Sequence, residues 1–527
     1  MGTYSSLSPS VTHGISDTFS LLFDEGTTMT HMRRISAYRT YWLYYLGKHW
    51  SYARDIGEPT LTINWCRRIV DMLVDFTFKK GFKTIIPDDP NTPENEGEDR
   101  KFIENMLAET WRKNGQMLWI LQAGQQGGVT GDVFVRTSWE KTDPLEEPYA
   151  RADILPSHLC FPEFGGPYGI DRRKLKRILI IIPKFNEKNR PPMMGTYAAR
   201  RTKTKPKLEI EMFGEEWTSP IIDPKTGKTL VDAKVTLYKN NEKIEERKNI
   251  LGEIPIVHIP NYPVSDEYYG LSDLVDSMDL NREFNEKATD ISDIINYHAS
   301  PITIVKGAKL SALEKGANRV WGVPENADVS NLEMVGDLAA ATKHLEFLKH
   351  AILELSGIPE PALGKQYHIS NTTGVALQMQ YMPMIEKRNV KILTYGYGLR
   401  LINRLMIKIT ELGDSSFGDK MNKLKGNKYR NDVTFPDPMP QDERRDLEIS
   451  REKLDLRLSH RKLELEKAGK SKQEIDSIMK GVKEDLEEEA EYSFSPSGVG
   501  SGNATFNRGG FSDTLGEKID KNIQDKS

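Results

Sequence analysis

Residues 271–298 separate apolar from charged positions with a helical period. Leu271, Leu274, Met278, Phe284, Ala288, Ile291 and Ile295 return on one side of the projection. On the other side Asp276, Asp279, Glu283, Glu286, Asp290 and Asp293 recur at spacings of 3, 4, 3, 4 and 3, which stacks six carboxylates along one face. A helix over this stretch extends about 42 Å at 1.5 Å per residue and needs a partner along its apolar stripe. The pattern supplies one at 342–356, where Leu345, Leu348, Ile352 and Leu355 repeat at spacings of 3, 4 and 3 before Gly357 and Pro359 stop it. Between the two lies a strand at 302–305, a short helix near 310–315 and a strand at 319–323. An insert of roughly 40 residues falls below the size that sustains its own core without metal, disulfide or association. It holds neither cysteine nor metal-ligand spacing, so it predicts association with further copies of the chain. A Pro-containing loop then leads into one very long helix ending at Gly413, in which Pro383 and the pair Gly396 and Gly398 predict bending.

Upstream, residues 1–30 are rich in Ser, Thr and Gly and read as a mobile arm. The aromatic cluster YRTYWLYYLGKHW predicts a helix packed on the core. A helix over 63–78 turns Ile69, Val70, Leu73, Val74 and Phe76 inward and ends at Gly81. A helix over 102–121 meets Gly124, Gly127, Gly128 and Gly131, which precede a strand and open no helix, so they predict a turn and not a phosphate cradle. Period-two patterning predicts strands at 132–139, 151–155, 177–182, 207–213, 233–238 and 254–259. Downstream, 414–431 reads as a linker and Pro436, Pro438 and Pro440 as a stiff joint. Residues 441–468 predict a charged helix with Leu447, Leu454, Leu458 and Leu465 on one stripe, and Ser471 with Glu474 a capping box for another. The Gly-, Ser- and Asn-rich end predicts a disordered tail.

Composition narrows the picture. A chain of 527 residues exceeds what one core holds. Its 28% charged residues, net charge of -4 and mean hydropathy of -0.55 describe a soluble chain with no global attraction to nucleic acid or anionic lipid, so any such contact must be local. The longest apolar run, 178–183, is far shorter than the roughly 20 residues of a membrane span, and no secretory signal pattern opens the chain; cytosol-like conditions are expected. Cys66 and Cys160 stand far apart and signal neither a disulfide framework nor zinc. Met1, Gly2 and Ser6 fit a loose myristoylation pattern that no basic patch supports.

Candidate chemistry is sparse. Gly227, Lys228 and Thr229 end a sequence close to a phosphate-binding loop, but Ile222 stands where its first glycine belongs and Pro224 makes PKTGKT a hairpin turn. The acidic helix holds seven acids, with Asp273, against the two bases Arg282 and Lys287, a net of -5. By itself this fits either a solvated surface or a wall facing a polyanion, since phosphate-binding surfaces use Lys and Arg and an acidic wall repels the backbone. A metal-dependent nuclease is a rival reading. It needs carboxylates converging on ions about 4 Å apart, whereas the stripe spreads them along a helix. His344 and His350 lack further ligands nearby. No cofactor or metal site is signalled, and no enzyme is expected.

Several segments, in order, resemble the portal protein family of tailed double-stranded DNA bacteriophages, most closely the long-tailed siphophage type. They are LTINWCRRIVDMLVDFTFKKGF with Asn64, Val70 and Asp71; TGDVFVRTSW with Gly131 and Asp132; IPIVHIPNYP; GLSDLVDSMDLNREFNEKATDISDIINYHASPITIVKG; HLEFLKHAILELSGIPEPAL; and ISNTTGVALQMQYMPMIEKR with Ser370, Gly374, Ala376 and Leu377. The likeness covers roughly 40–440 and leaves out the N-terminal arm and the last 90 or so residues. It implies an α+β, mainly helical, portal-type fold: a flexible arm over 1–30, an α/β wing over 31–267, stem helices at 271–298 and 342–357, and a small α/β clip at 299–341. A tunnel loop at 358–373, a long kinked helix and second wing part over 374–440, a helical crown at 441–491 and a disordered tail at 492–527 complete it. The implied function is a dodecameric ring at one capsid vertex, the channel for DNA packaging and ejection. Its implied partners are copies of itself, double-stranded DNA, the terminase large subunit, major capsid and scaffolding proteins and a head-completion adaptor, with no membrane. Assembly in the host cytoplasm and residence in the virion follow. Asp276, Asp279, Glu283, Glu286, Asp290 and Asp293 would line the tunnel, and Lys365, Gln366, Tyr367 and His368 would reach the DNA from the loop. The alternatives are the metal-dependent DNA-processing enzyme and a non-ring structural protein or adhesin of a phage particle.

Overall fold

The structure is a computed structural model that describes residues 25–50, 60–87, 97–141, 147–165, 171–185, 210–222, 229–240, 242–265, 267–299, 303–306, 328–331, 338–364, 374–423, 428–439, 443–456, 460–467 and 475–484. The chain forms two compact units, Met1–Met439 and Pro440–Ser527.

Among the described residues the first unit begins with helix α1 (Glu25–Tyr45), so residues 25–30, expected in a mobile arm, are helical. Helix α2 (Trp65–Phe78) is capped by the Asn64 side chain, which accepts from the Arg67 amide, and buries Ile69, Val70, Leu73 and Val74 as its spacing predicts. Strand β1 (Lys83–Ile85) follows. The single helix expected over 102–121 is instead two, α3 (Gly97–Lys113) and α4 (Gln116–Thr130), broken at Gly115, whose φ of 65° is left-handed. Asn114 occupies the break and bonds the Ala150 carbonyl and the Ala152 amide.

The glycines of α4 correct a second expectation. Gly124, Gly127 and Gly128 lie inside the helix and make no turn. Each is a site of close approach: a Cβ at Gly124 would lie 2.6 Å from the Phe78 ring, one at Gly128 2.9 Å from the Asp273 carboxylate, and one at Gly127 would overlap the Tyr395 hydroxyl. Helix propensity is given up so that neighbouring elements can press onto this one.

Strands β2 (Asp132–Glu140) and β3 (Tyr149–Leu155) form an antiparallel sheet completed by β11 (Ile256–Pro260), in the order β11-β2-β3. A second antiparallel sheet has the order β10-β9-β6-β5-β4, built from β4 (Cys160–Gly165), β5 (Asp171–Phe185), β6 (Ile210–Thr218), β9 (Lys234–Lys239) and β10 (Glu242–Lys248). Between β6 and β9, β7 (Ile221–Ile222) pairs antiparallel with β8 (Thr229–Val231), the hairpin expected around PKTGKT; residues 223–228 lie outside the described set.

Helix α5 (Met278–Ala299) begins seven residues later than its pattern predicts. The preceding segment is held elsewhere. Ser272 donates to the carbonyls of Gly128 and Val129, and the Asp273 amide donates to Gly128, so residues 271–277 dock on the end of α4 before the helix starts. Strand β12 (Thr303–Lys306) pairs with β13 (Asp328–Asn331); the helix and strand expected at 310–315 and 319–323 lie outside the described residues. Helix α6 (Leu338–Ser356) ends as predicted at Gly357, φ 68°, with the Gly357 and Ile358 amides bonding back to Glu354 and Leu353. Helix α7 (Gly374–Gly413) runs 40 residues with Pro383 inside it, and Gly398 lets it press on Ile259 of β11. Helix α8 (Ser415–Lys423) and strand β14 (Asp432–Thr434), paired with β1, close the unit.

The main core gathers Val70, Val74 and Phe78 of α2, Trp111, Trp119 and Ile120 of α3 and α4, Val133 and Val135 of β2, and Tyr395, Leu399, Ile402 and Met406 of α7. A separate cluster joins Phe284 of α5 to Leu348, Ile352 and Leu353 of α6, with Ile69 and Leu73 of α2 and Met384 of α7. The α5–α6 pairing is therefore as expected, but the stripes are not wholly buried: Leu271, Ile295 and Leu355 are exposed, and Leu353 is buried in place of Leu355.

Among the described residues the second unit holds α9 (Glu443–Asp455) and α10 (Arg461–Lys467), where one helix was expected across 441–468, and the further helix expected after them, over 475–484. Ser450 donates to Glu464, and Lys462 pairs with Asp476. Ser471 and Glu474, and the tail at 492–527, lie outside the described residues.

Candidate nucleic-acid interface

Five of the six stripe carboxylates, Asp279, Glu283, Glu286, Asp290 and Asp293, sit on α5; Asp276 lies in the turn before it. All six are exposed or half-buried. At 100° per residue the five fall on the side of α5 away from Ser277, Asn281, Phe284, Asn285, Ala288 and Thr289, which are buried. The two bases of the helix are threaded among them: Arg282 lies 3.5 Å from Asp279, and Lys287 lies 3.9 Å from Glu283 and 3.3 Å from Asp290. Exposed pairs of this kind contribute little to stability. Five acids against two bases leave this face of α5 at -3.

The opposite face was only half legible. Its apolar members were expected, but between them runs a buried polar ladder at four-residue spacing, Asn281, Asn285 and Thr289. Each rung takes a backbone amide of the segment that leads into α2 or of its first turn. The Asn281 Oδ1 accepts from Cys66 at 3.2 Å, the Asn285 Oδ1 from Ile63 at 2.9 Å and the Thr289 hydroxyl from Leu61 at 3.2 Å. The Asn281 amide donates back to the Ile63 carbonyl at 2.8 Å. Because the Asn285 Oδ1 is thus engaged, its Nδ2 faces His49 Nδ1 at 2.7 Å, which makes that nitrogen the acceptor and leaves Nε2–H to donate to the Tyr44 carbonyl at 2.9 Å. Burial holds the His49 pKa below its ordinary value, in keeping with this neutral tautomer. The ladder fixes which way α5 faces, and so holds the carboxylates outward. A run of Asn and Thr at i, i+4, i+8 on an apolar stripe was its available signal.

The second group of expected site residues, Lys365, Gln366, Tyr367 and His368, lies outside the described residues. The loop leading to it is described as far as a short 3-10 turn, Glu360–Leu363, and Gly364. Glu360 draws near Lys349 at 3.9 Å and His350 at 3.7 Å, which gives His350 a neighbour the sequence did not suggest.

A buried charged cluster also escaped the sequence. Asp132, fully buried, takes hydrogen bonds from Tyr38 of α1, from the Gly270 amide at 2.9 Å and from His258 Nε2 at 2.7 Å. Beside it the Arg34 guanidinium donates to the carbonyls of Ser157 at 3.0 Å and Cys160 at 2.6 Å and lies 4.5 Å from the Tyr269 ring centre. Burial, with Arg34 close by, lowers His31 and His158 to about 3, and burial raises the Cys160 thiol to about 12. This cluster pins α1 to the two sheets. Among the described residues no group of three or more His, Cys, Asp or Glu is placed to hold a metal ion, and no helix is long and apolar enough to cross a membrane.

The family model described as phage portal protein, SPP1 Gp6-like, matches residues 209–484, more than half of the chain. The chain belongs to the phage portal protein family. No curated protein matches it. The matched range takes in α5, α6, α7 and the insert between the first two, so the acid stripe and its supporting ladder lie within the portal-family part of the sequence. It also runs on to 484, past the point near 440 where the ordered motifs stop, and brings the second unit's described helices within the family. As a portal protein the chain is a structural component of the phage capsid vertex.

Proposed function

We propose that copies of this portal protein close into a dodecameric ring whose bore is lined by the acid face of α5 and conducts double-stranded DNA during packaging and ejection. In this reading residues 31–267 and 374–440 form the wing, α5 and α6 the stem, 299–341 the clip, 358–373 the tunnel loop and 441–491 the crown. The observation that carries it is the orientation of α5. Its carboxylates lie opposite the buried ladder and retain an excess over the bases threaded among them, in a chain whose family forms phage portals.

The mechanism is conduction. Carboxylates release no counterions from DNA and offer it no binding surface, so the duplex stays centred without sticking. At a Debye length of about 8 Å the repulsion acts only near contact, which suits a wall. Work comes from a separate terminase, seated through the clip; head-completion proteins take its place later, and capsid and scaffolding proteins hold the ring's periphery. Lys365, Gln366, Tyr367 and His368 supply the points of closer approach to the duplex.

Reversing charge by Asp279→Lys with Glu286→Lys tests the wall. Rings seen by negative-stain microscopy should persist while packaged DNA per head falls; unchanged packaging removes the acidic wall, and absence of a central hole in the unaltered protein removes the ring. Deleting 365–368 should leave rings but lower the yield of filled heads, and a normal yield counts against the loop contact.

A further inference from the structure

Helix α7 carries a second four-residue repeat, Lys387, Lys391 and Tyr395, and each member grips the root of a different element. Lys387 Nζ donates to the carbonyls of Leu355 at 3.0 Å and Ser356 at 2.8 Å, the last turn of α6. A cation there satisfies carbonyls that have no partner within the helix and complements the negative end of its dipole. Lys391, with 1% of its side chain exposed, meets Asp273 at 2.5 Å, in the segment that opens α5. The remaining Asp273 oxygen accepts from Asn261 Nδ2 at 3.1 Å, at the end of β11, and the Tyr395 hydroxyl lies 3.4 Å from Asn261 Oδ1. There is no slack around the pair, since Gly128 of α4 has no room for a Cβ beside Asp273.

A fully desolvated ion pair is a poor source of net stability, because removing two charges from water offsets their attraction; an apolar pair of similar volume often replaces it without loss. What such a pair supplies is geometry. It is satisfied in one arrangement only, and any shift of Asp273 away from α7 strands two buried charges. Lys387, half-buried and bonded to carbonyls, adds a weaker demand at α6, one turn away on the same face of α7.

We propose that Lys387 and Lys391 are positioning residues that lock the α5–α6 pair at one angle to the rest of the first unit, so that load on the pair passes into α7. The consequence for DNA passage rests on the channel reading above; the lock itself does not.

Hydrogen exchange on the full chain tests it. Lys391→Met alone leaves Asp273 buried without a cation and should lower the thermal midpoint sharply. Lys391→Met with Asp273→Leu should recover the midpoint, yet amides of 278–284 and 353–358 should exchange about 10-fold faster, a change equivalent to about 1.4 kcal/mol, with α2 and α4 unchanged. Lys387→Arg should keep the protection of 353–358 and Lys387→Met lose it. A folded double variant with unaltered exchange overturns the lock at Asp273. If the double variant does not fold, the Lys387 pair decides, and equal exchange in its two variants overturns the proposal. Failure of the unaltered protein to form rings would remove the channel reading and leave the exchange result standing.

Discussion

The two faces of α5 use polar side chains to opposite ends. On the outer face carboxylates recur across 15 residues, from Asp279 to Asp293, each exposed or half-buried, with Asp279, Glu283 and Asp290 near the two bases of the same helix. In the proposed channel reading, what this face contributes is the sum of its charge. On the inner face Asn281, Asn285 and Thr289 are individually addressed, each to a particular backbone amide between Leu61 and Cys66. Periodicity is shared by both sets. The difference is that an amide or hydroxyl can be buried if its partners are supplied, while a carboxylate cannot be so without a cation or several donors.

The sharpest way to break that contrast is Asn281→Ala with Asn285→Ala. Each strands a backbone amide, and Asn285 also leaves His49 Nδ1 without its donor, so a loss of about 1–3 kcal/mol per site is expected by denaturant titration. A loss for the pair no larger than that of an exposed substitution would mean the ladder does not fix the helix. Acid offers a second, smaller route. His31 and His158 have folded pKa values of about 3 against an ordinary 6.5, and His49 is shifted in the same direction. The unfolded chain therefore binds protons first. The stability these neutral histidines contribute is fully present above about 6.5 and is lost as pH falls from there toward 3. The thermal midpoint should fall across that window, and His158→Asn should flatten the fall. The smallest effect belongs to the outer face: Asp279→Lys with Glu286→Lys should leave stability within about 0.5 kcal/mol of the unaltered protein, although it is the variant expected to impair DNA passage. A large loss of stability there would show that the acid face holds the fold together.

How much of this could be read from sequence follows the range of the forces involved. The pairing of α5 with α6, the stop at Gly357 and most strands of the two sheets are local patterns, and they stand where spacing puts them. Strand β4 (Cys160–Gly165) and strand β10, a wholly exposed run of Glu, Lys and Arg around Ile244, carry no alternating signal; pairing with β5 and β9 makes them strands. The α4 glycines were misread because their purpose lies in Phe78, Asp273 and Tyr395, which reach the helix from distant parts of the chain. The late start of α5 has the same origin, since Ser272 and Asp273 are claimed by α4 before the helix can use them. For the candidate interface, the stripe was legible as a row of acids, but the side of α5 it occupies was settled only by the partners of Asn281 and Asn285.

The pairing of Lys83–Ile85 with Asp432–Thr434 carries a consequence for biosynthesis. At about 5–20 residues per second, a ribosome needs roughly 20–70 s to travel from the first strand to the second. For most of that interval the nascent polypeptide also lacks α7, whose Tyr395, Leu399, Ile402 and Met406 fill the main core, so its earlier helices wait with greasy surfaces uncovered. Covering those surfaces during synthesis should therefore raise the yield of folded protein.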